Sequence, residues 1–391
     1  MTAPARAISL PALLALAVAG GAVTLGLAPV FLLGLGGEGL AIDDYFAGIL
    51  KFTLLQAFLS TFFSLLLGLP VALALARRRF PGREFLIRLL ALPLSLPAIV
   101  GVLGILTIFG RSGFLGGAVE PYGLTGILVA HVFFNFPLAA RMALASLEAQ
   151  PAENQRLGAQ LGFSDVDQFR HCDGPALFAI LPGTALLVFL LCLASFTIVL
   201  TLGGGPSATT LEVAIYQALR FDFDPARATT LALVQIGICS LLALLAWRFP
   251  AALPLAPPIG TKTQRFDGAS MGARLIDGVV LAIGMLVLLP PLVATVAAGL
   301  SVTAWSAAVV PALLSSLMIG FAAATLSLSL CWPLAGLAAR SRWGRHLAGA
   351  TALAGLVLPP AVMATGWFIV ASRLPPVQGS DLFLVIALNS L

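Results

Sequence analysis

This sequence has little charge. Of 391 residues, 9% are Asp, Glu, Lys or Arg and 60% are apolar, against about 25% charged residues in a typical soluble domain. A chain so poor in charge has no means of covering itself with a hydrated surface. That excludes an ordinary water-soluble fold and leaves lipid as the solvent for most of the chain. Cysteine is sparse too. Cys172, Cys192, Cys239 and Cys331 form no C-x-x-C pair, and three of them lie inside apolar runs. They read as small buried side chains rather than metal ligands or a disulfide framework. A basic stripe with interleaved aromatics is also missing. The net charge of +5 comes from short clusters between apolar runs, which membrane topology explains better than nucleic acid does.

Reactive chemistry is lacking as well. The histidines, His131, His171 and His346, are far apart, and no nucleophile–base or metal-ligand spacing accompanies them. No catalytic residue, metal site or cofactor is expected, and the chain is not read as an enzyme. There is no G-x-x-x-x-G-K-[ST] phosphate loop; Gly260-Thr261-Lys262-Thr263 lacks the spacing. The sixteen Asp and Glu residues fall in expected loops or at span ends. Ion-coupled transporters rely on an ionisable group or an unwound helix near the bilayer midplane. A secondary transporter working alone is therefore the weaker reading, and an ATP-hydrolysing partner is the expected energy source.

What the sequence does have is long apolar runs. About 20 apolar residues cross the hydrocarbon core as a helix. Such runs occupy 8–35, 50–76, 85–110, 122–145, 179–202, 227–249, 275–299, 309–339 and 347–371, and a tenth begins near 382. The first is too long for the apolar core of a signal peptide and reads as a retained helix. If the runs alternate in direction, Arg6, the cluster Arg77 to Arg88, Arg141, Arg156, Arg170, the cationic residues from Arg248 to Arg274, and Arg340 to Arg345 share one side. Lys51, Arg111, Arg220, Arg227 and Arg373 fall on the other. Positive residues stay cytoplasmic, so the N-terminus and the loop at 146–178 are expected inside.

The chain also repeats itself. At an offset of 263 positions Ser64 falls on Ser327, Pro70 on Pro333, Arg77 on Arg340, Arg79 on Arg342, and Pro97-Ala98 on Pro360-Ala361. Apolar matches are cheap in such a sequence, but two prolines and two arginines in one register are not. Both arginine clusters lie on one side, so the repeats run parallel, a plan typical of transporters. The expected organisation is an all-α, polytopic helical bundle: a first half at 1–250, a cytoplasmic linker at 251–273, and a second half at 274–391 that stops after three and a half helices. A counterpart of the 146–178 loop would begin near ~409, and the sequence is expected to be a C-terminally shortened version of a longer one.

Three segments carry the polar residues of interest. The run from His131 to Pro137 places His131 and Asn135 one helical turn apart on one face. They read either as helix-packing groups or as lining of a substrate path, with Ser195 of the fifth run grouped with them. The loop at 146–178 is polar and long among short connections. Within it Asn154 to Leu161 reads as a short helix closed by Gly162 in a left-handed cap, and Ser164 suits the start of another. Small residues at Gly158 and Ala159 would let such a helix dock on a partner; the alternative is an ordinary solvated loop. In the third segment, Gly203-Gly204-Gly205-Pro206 ends the fifth run, Thr210 to Leu219 reads as a short helix, and Asp222-Phe223-Asp224-Pro225 closes it.

The 146–178 loop resembles the cytoplasmic coupling loop of ATP-binding-cassette importer permeases, whose pattern is E-A-A, three residues, G, nine residues, I-x-L-P. With that Gly on Gly162, the final proline lands on Pro175. Arg156, Leu157 and Gly158 replace E-A-A, and Cys172 and Gly174 replace the Ile and Leu. The stretches starting at Phe52, Tyr122 and Leu202 are more closely similar to the thiamine importer permeases, of which the ferric-iron permeases are the nearest confusable relatives. The resemblance implies a type I importer permease of two fused halves in the bacterial inner membrane. It implies two ATPase subunits at the cytoplasmic face, a periplasmic binding protein at the other, and thiamine or its phosphate esters as solute. It implies coupling through Arg156, Leu157, Gly158, Ala159, Leu161, Gly162, Phe163 and Pro175. Because thiamine is a cation, Asp222 and Asp224 join His131, Asn135 and Ser195 as candidates for the solute path. The second half's coupling loop would lie beyond Leu391, so a chain ending there is expected not to couple normally.

Overall fold

The computed structural model describes residues 10–34, 44–116, 120–248, 270–300, 307 and 309–373. The tenth apolar run, and the linker apart from its last four residues, lie outside them. The described residues form α-helices and no strand. In chain order the helices are α1 Leu10–Gly34, α2 Asp44–Arg77, α3 Arg83–Leu89, α4 Leu92–Ser95, α5 Ala98–Phe109, α6 Gly123–Glu148, α7 Ala152–Gln160, α8 Asp165–Gln168, α9 Gly174–Leu193, α10 Thr197–Leu202, α11 Leu211–Arg220, α12 Pro225–Arg248, α13 Met271–Leu300, α14 Val309–Arg340, α15 Arg342–Val357 and α16 Pro360–Arg373. A π-helical turn, Phe169–Asp173, joins α8 to α9, and a 3₁₀ turn, Pro206–Ala208, precedes α11. Among the described residues seven helices are long and apolar enough to cross a membrane, or eight if the bent pair α3–α4 and α5 is one span. The chain is thus an all-α, multi-pass membrane protein. In lipid every backbone amide must find its partner within the helix, and the long helices continue even through Pro70, Pro137, Pro182 and Pro333.

Three of the expected runs are not single rods. The run at 85–110 is two helical pieces bent by 107°. Leu96 is extended (φ −83°, ψ 136°), because a residue before proline is pushed out of the helical region, and Pro97 then opens α5. The run at 179–202 breaks at Ala194–Phe196, between α9 and α10. The run at 347–371 breaks at Leu358 (φ −79°, ψ 128°), with α16 opening at Pro360. Pro97 and Pro360 are partners in the 263-residue register. In the same register α2 ends at Arg77 where α14 ends at Arg340.

The described residues fall into two compact units that interleave in sequence. One draws on Met1–Asp44, Leu211–Ser240 and Val302–Leu391, the other on Tyr45–Thr210 and Leu241–Ser301. In the first, α1 packs on α16 and α14, and α11 packs on α16. The α1–α16 crossing is close: a Cβ on Gly366 would collide with the backbone of Gly26, the use that membrane helices make of small residues. In the second, α5 packs on α13, α6 packs on α9, and α10 packs on both α5 and α6. Phe133 and Phe136 are its largest fully buried side chains. Arg78 Nε donates to Asp277 Oδ2 at 2.6 Å and ties the end of α2 to the start of α13.

Candidate functional site

A seam of neutral polar groups runs between α2, α6 and α9. Gln56 and Ser60 lie four residues apart on α2, and His131 and Asn135 lie four apart on α6, so each pair shares a helical face. All four are buried. Ser60 Oγ and His131 Nδ1 are 2.9 Å apart. Gln56 Nε2 donates to the Cys192 carbonyl oxygen at 3.1 Å, and Asn135 Nδ2 points to Cys192 Sγ at 3.4 Å. Thr53, Thr61 and Ser64 spend their hydroxyls on their own helix, four residues back. Two atoms of the seam, Gln56 Oε1 and His131 Nε2, are buried with no partner among the described residues. His131 and Asn135 thus sit in a helix–helix contact in this structure. Ser60, which partners His131, and Gln56, which reaches Cys192, are visible in the sequence only as two polar residues at helical spacing inside an apolar run.

The segment after α6 forms a polar platform held by caps at its helix ends. α7 ends in a Schellman motif: the Phe163 amide donates to the Gly158 carbonyl at 3.0 Å and the Gly162 amide to that of Ala159 at 3.2 Å. Gly162 takes φ +70°, as the left-handed cap requires. Ser164 then caps α8 in a reciprocal capping box with Asp167. The Ser164 hydroxyl and amide hold the Asp167 carboxyl below its ordinary value. The inner face of α7 carries Gln155 and Gly158, with Gln168 Nε2 donating to Gln155 Oε1 at 3.2 Å. The outer face leaves Arg156, Leu157, Ala159, Leu161 and Gly162 exposed; Leu157 is 55% and Leu161 63% accessible. Phe163 is half-buried against His171, and Pro175 is exposed at the start of α9. Arg83 Nη2 meets Glu148 Oε1 at 2.6 Å and fastens the α6 end of this platform to α3. The π turn spans Cys172 and ends beside Gly174. A π turn adds a residue to the helical repeat, and these are the two positions that depart from the Ile and Leu of the coupling pattern.

The third segment folds as the sequence suggested, but its polar residues separate. α10 ends at Leu202, the glycines follow, and α11 and α12 flank the Asp222–Asp224 turn. Asp222 is exposed, whereas Asp224 Oδ1 accepts the Arg227 amide at 2.9 Å and caps α12. Ser195 is half-buried at the break between α9 and α10, three residues after Cys192. The structure therefore places His131, Asn135 and Ser195 in one unit, while Asp222 and Asp224 belong to the other.

One carboxylate was not anticipated. Glu212 lies in the connection between two apolar runs, yet it is fully buried on α11. Gln235 Nε2 on α12 donates to Glu212 Oε1 at 2.8 Å. Loss of water pushes the Glu212 carboxyl up to about 8, opposed in part by Gln235 and by the Ala361 amide on α16. No sequence period points to it, because its burial comes from α12 and α16, elements remote in the chain.

The chain is 44% identical over 344 residues to the thiamine transport system permease protein ThiP of Brucella abortus (strain 2308), an alignment covering 84% of this chain and 63% of the relative. It is 42% identical over 369 residues to ThiP of Salmonella typhimurium, covering 89% of this chain and 68% of the relative. The chain belongs to the thiamine transport system permease family. It also matches the sulfate transport system permease protein CysT of Salmonella typhimurium, 31% identical over 199 residues, 49% of this chain and 72% of that protein. No family model matches the chain. It spans 63% of the length of the Brucella relatives. The match to ThiP covers most of the described helices, so family membership extends well beyond the short coupling pattern.

Proposed function

We propose that the chain is the membrane-spanning subunit of an ATP-driven, binding-protein-dependent importer that carries thiamine or its phosphate esters across the bacterial inner membrane. The observation that carries this reading is the platform after α6. It presents two exposed leucines and an arginine on a short helix whose ends are locked by a Schellman motif and a capping box, an arrangement suited to a groove on a partner. Membership of a family whose relatives are named for thiamine transport supports the choice of solute. On this reading the N-terminus is cytoplasmic, and residues 1–250 and 274–391 belong to two parallel halves joined by the linker. ATP hydrolysis takes place on two separate subunits. One of them receives Arg156 to Phe163, and Pro175 fixes the angle at which α9 leaves the platform. A periplasmic binding protein delivers the solute on the opposite face, where Asp222 attracts a cation and Asp224 holds the turn. His131, Asn135 and Ser195 line the path when α2, α6 and α9 part.

The test is uptake of labelled thiamine by a strain whose own gene is deleted and then restored at its locus, with ferric iron and sulfate as comparison solutes. Thiamine uptake that returns with the gene, and no change for iron or sulfate, is the expected result. Iron or sulfate uptake alone would overturn the solute assignment. In the same strain Leu157→Asp, which charges the outer face of α7 without touching its buried side, is expected to lower uptake at least tenfold with the protein still inserted in the membrane. Unchanged uptake would remove α7 from the coupling role.

A further inference from the structure

Glu212 and Gln235 form a buried pair with an imbalance. Gln235 gives one N–H to Glu212 Oε1 at 2.8 Å. The other two oxygens of the pair, Glu212 Oε2 and Gln235 Oε1, are buried with no partner among the described residues. Both are acceptors when the carboxyl is ionised, so neither can satisfy the other. One proton resolves both at once. On Glu212 Oε2 it creates a donor for Gln235 Oε1, while Gln235 still donates to Glu212 Oε1. The result is the cyclic pairing of a carboxylic acid with a carboxamide, neutral as a whole and with both groups satisfied.

The surroundings favour the neutral form. Apart from Glu212, α11 carries Tyr216 and Arg220, α12 carries Arg227, Cys239 and Arg248, and α16 carries only Arg373 as ionisable or charged groups. No second carboxylate is present on these helices. Their arginines stand at least two helical turns along the helix from Glu212, Gln235 or Ala361, so none of these three helices places a cation within a turn of the pair. An isolated buried carboxylate is costly, and such a group takes up a proton instead.

We propose that Glu212 is held protonated, and that the neutral Glu212–Gln235 acid–amide pair is a positioning element that fixes α11 against α12 and α16. Glu212 here is a positioning residue and touches no solute. The pairing does not depend on which solute is carried, so it stands apart from the transport reading.

The test uses the intact protein in lipid nanodiscs. Infrared spectra are expected to show a protonated-carboxyl stretching band at neutral pH that disappears in Glu212→Gln. The amide in Glu212→Gln reproduces the donor and acceptor of the neutral acid, so this variant is expected to fold and to keep wild-type uptake. Glu212→Ala, which leaves Gln235 alone, is expected to lose thermal stability at every pH. Linkage gives a second readout. A carboxyl raised from about 4.5 to about 8 in the folded protein binds more protons folded than unfolded, so stability falls as pH rises between those values. The melting temperature of Glu212→Gln is therefore expected to match wild type near the lower value and to exceed it increasingly up to the upper one. Absence of the band, its persistence in Glu212→Gln, parallel melting curves for the two proteins, or failure of Glu212→Gln to fold would each overturn the proposal.

Discussion

Ser60, His131, Gln56 and Cys192 link three helices of one compact unit through groups that are neutral and adaptable. In the other unit Glu212 and Gln235 link two helices through a single ionisable pair. Both clusters are buried, and both leave polar atoms without partners among the described residues. Of the two in the seam, Gln56 Oε1 is an acceptor, but His131 Nε2 is donor or acceptor according to tautomer and takes either kind of partner without any change of charge. The vacancies at Glu212 and Gln235 are both acceptors and are filled by a proton. The comparison teaches that a polar contact between helices stays cheap to rearrange when one of its members switches role, and becomes a fixed fastening when only a proton completes it.

Substitutions break this comparison in order of size. Gln235→Leu removes the side-chain donor to Glu212 and leaves a buried carboxyl short of partners, a loss of about 1–3 kcal/mol. Denaturation in lipid or mild detergent measures it, and a loss no larger than that of Ser60→Ala would erase the distinction. Ser60→Ala orphans His131 Nδ1 as well as Nε2. Interhelical hydrogen bonds in membranes average only about 0.6 kcal/mol and reach about 1.7 kcal/mol, and the loss is expected in that range. Adding His131→Leu removes both partners, and the double variant is expected to recover most of the loss. Non-recovery would show that His131 contributes more than its bond to Ser60.

The smallest effect is a control in the platform. Ser164→Ala removes the cap of α8, worth about 1 kcal/mol. Hydrogen exchange is expected to rise in residues 164–173 and to stay unchanged in α2 and α6. Asp167 titrates below its ordinary value because it is bonded to Ser164. Its part of the box is present above the ordinary carboxylate pKa and is lost as pH falls through the depressed one. Exchange in this segment should therefore accelerate in acid in the wild-type protein, and Asp167→Asn should abolish that acceleration.

Much of the platform was legible because its signals are local. Gly162 needs only its own φ, Ser164 needs only Asp167 three residues on, and Pro97 bends its run through the residue before it. The bend itself, 107° between the two pieces, was not legible, since an apolar run reads the same whether it is straight or folded. The grouping of candidate solute residues was legible in part. His131 and Asn135 share a face by spacing alone, but their enclosure by α2 and α9 depends on contacts far along the chain.

The sequence by itself determined the solvent, the position of eight of the nine apolar runs that lie among the described residues, the 263-residue register that aligns Pro70 with Pro333 and Pro97 with Pro360, and the caps of the short helices. Each follows from composition or from neighbours within a few residues. The tertiary structure alone decided that Ser60 meets His131, that Gln56 reaches the backbone of Cys192, and that Glu212, in a connection, is buried against Gln235. A side-chain hydrogen bond between spans requires two helices to bring two faces together. The apolar residues of α2, α6 and α9 are spread nearly evenly around each helix and do not specify which faces those are, and on α11 the buried face itself carries the carboxylate.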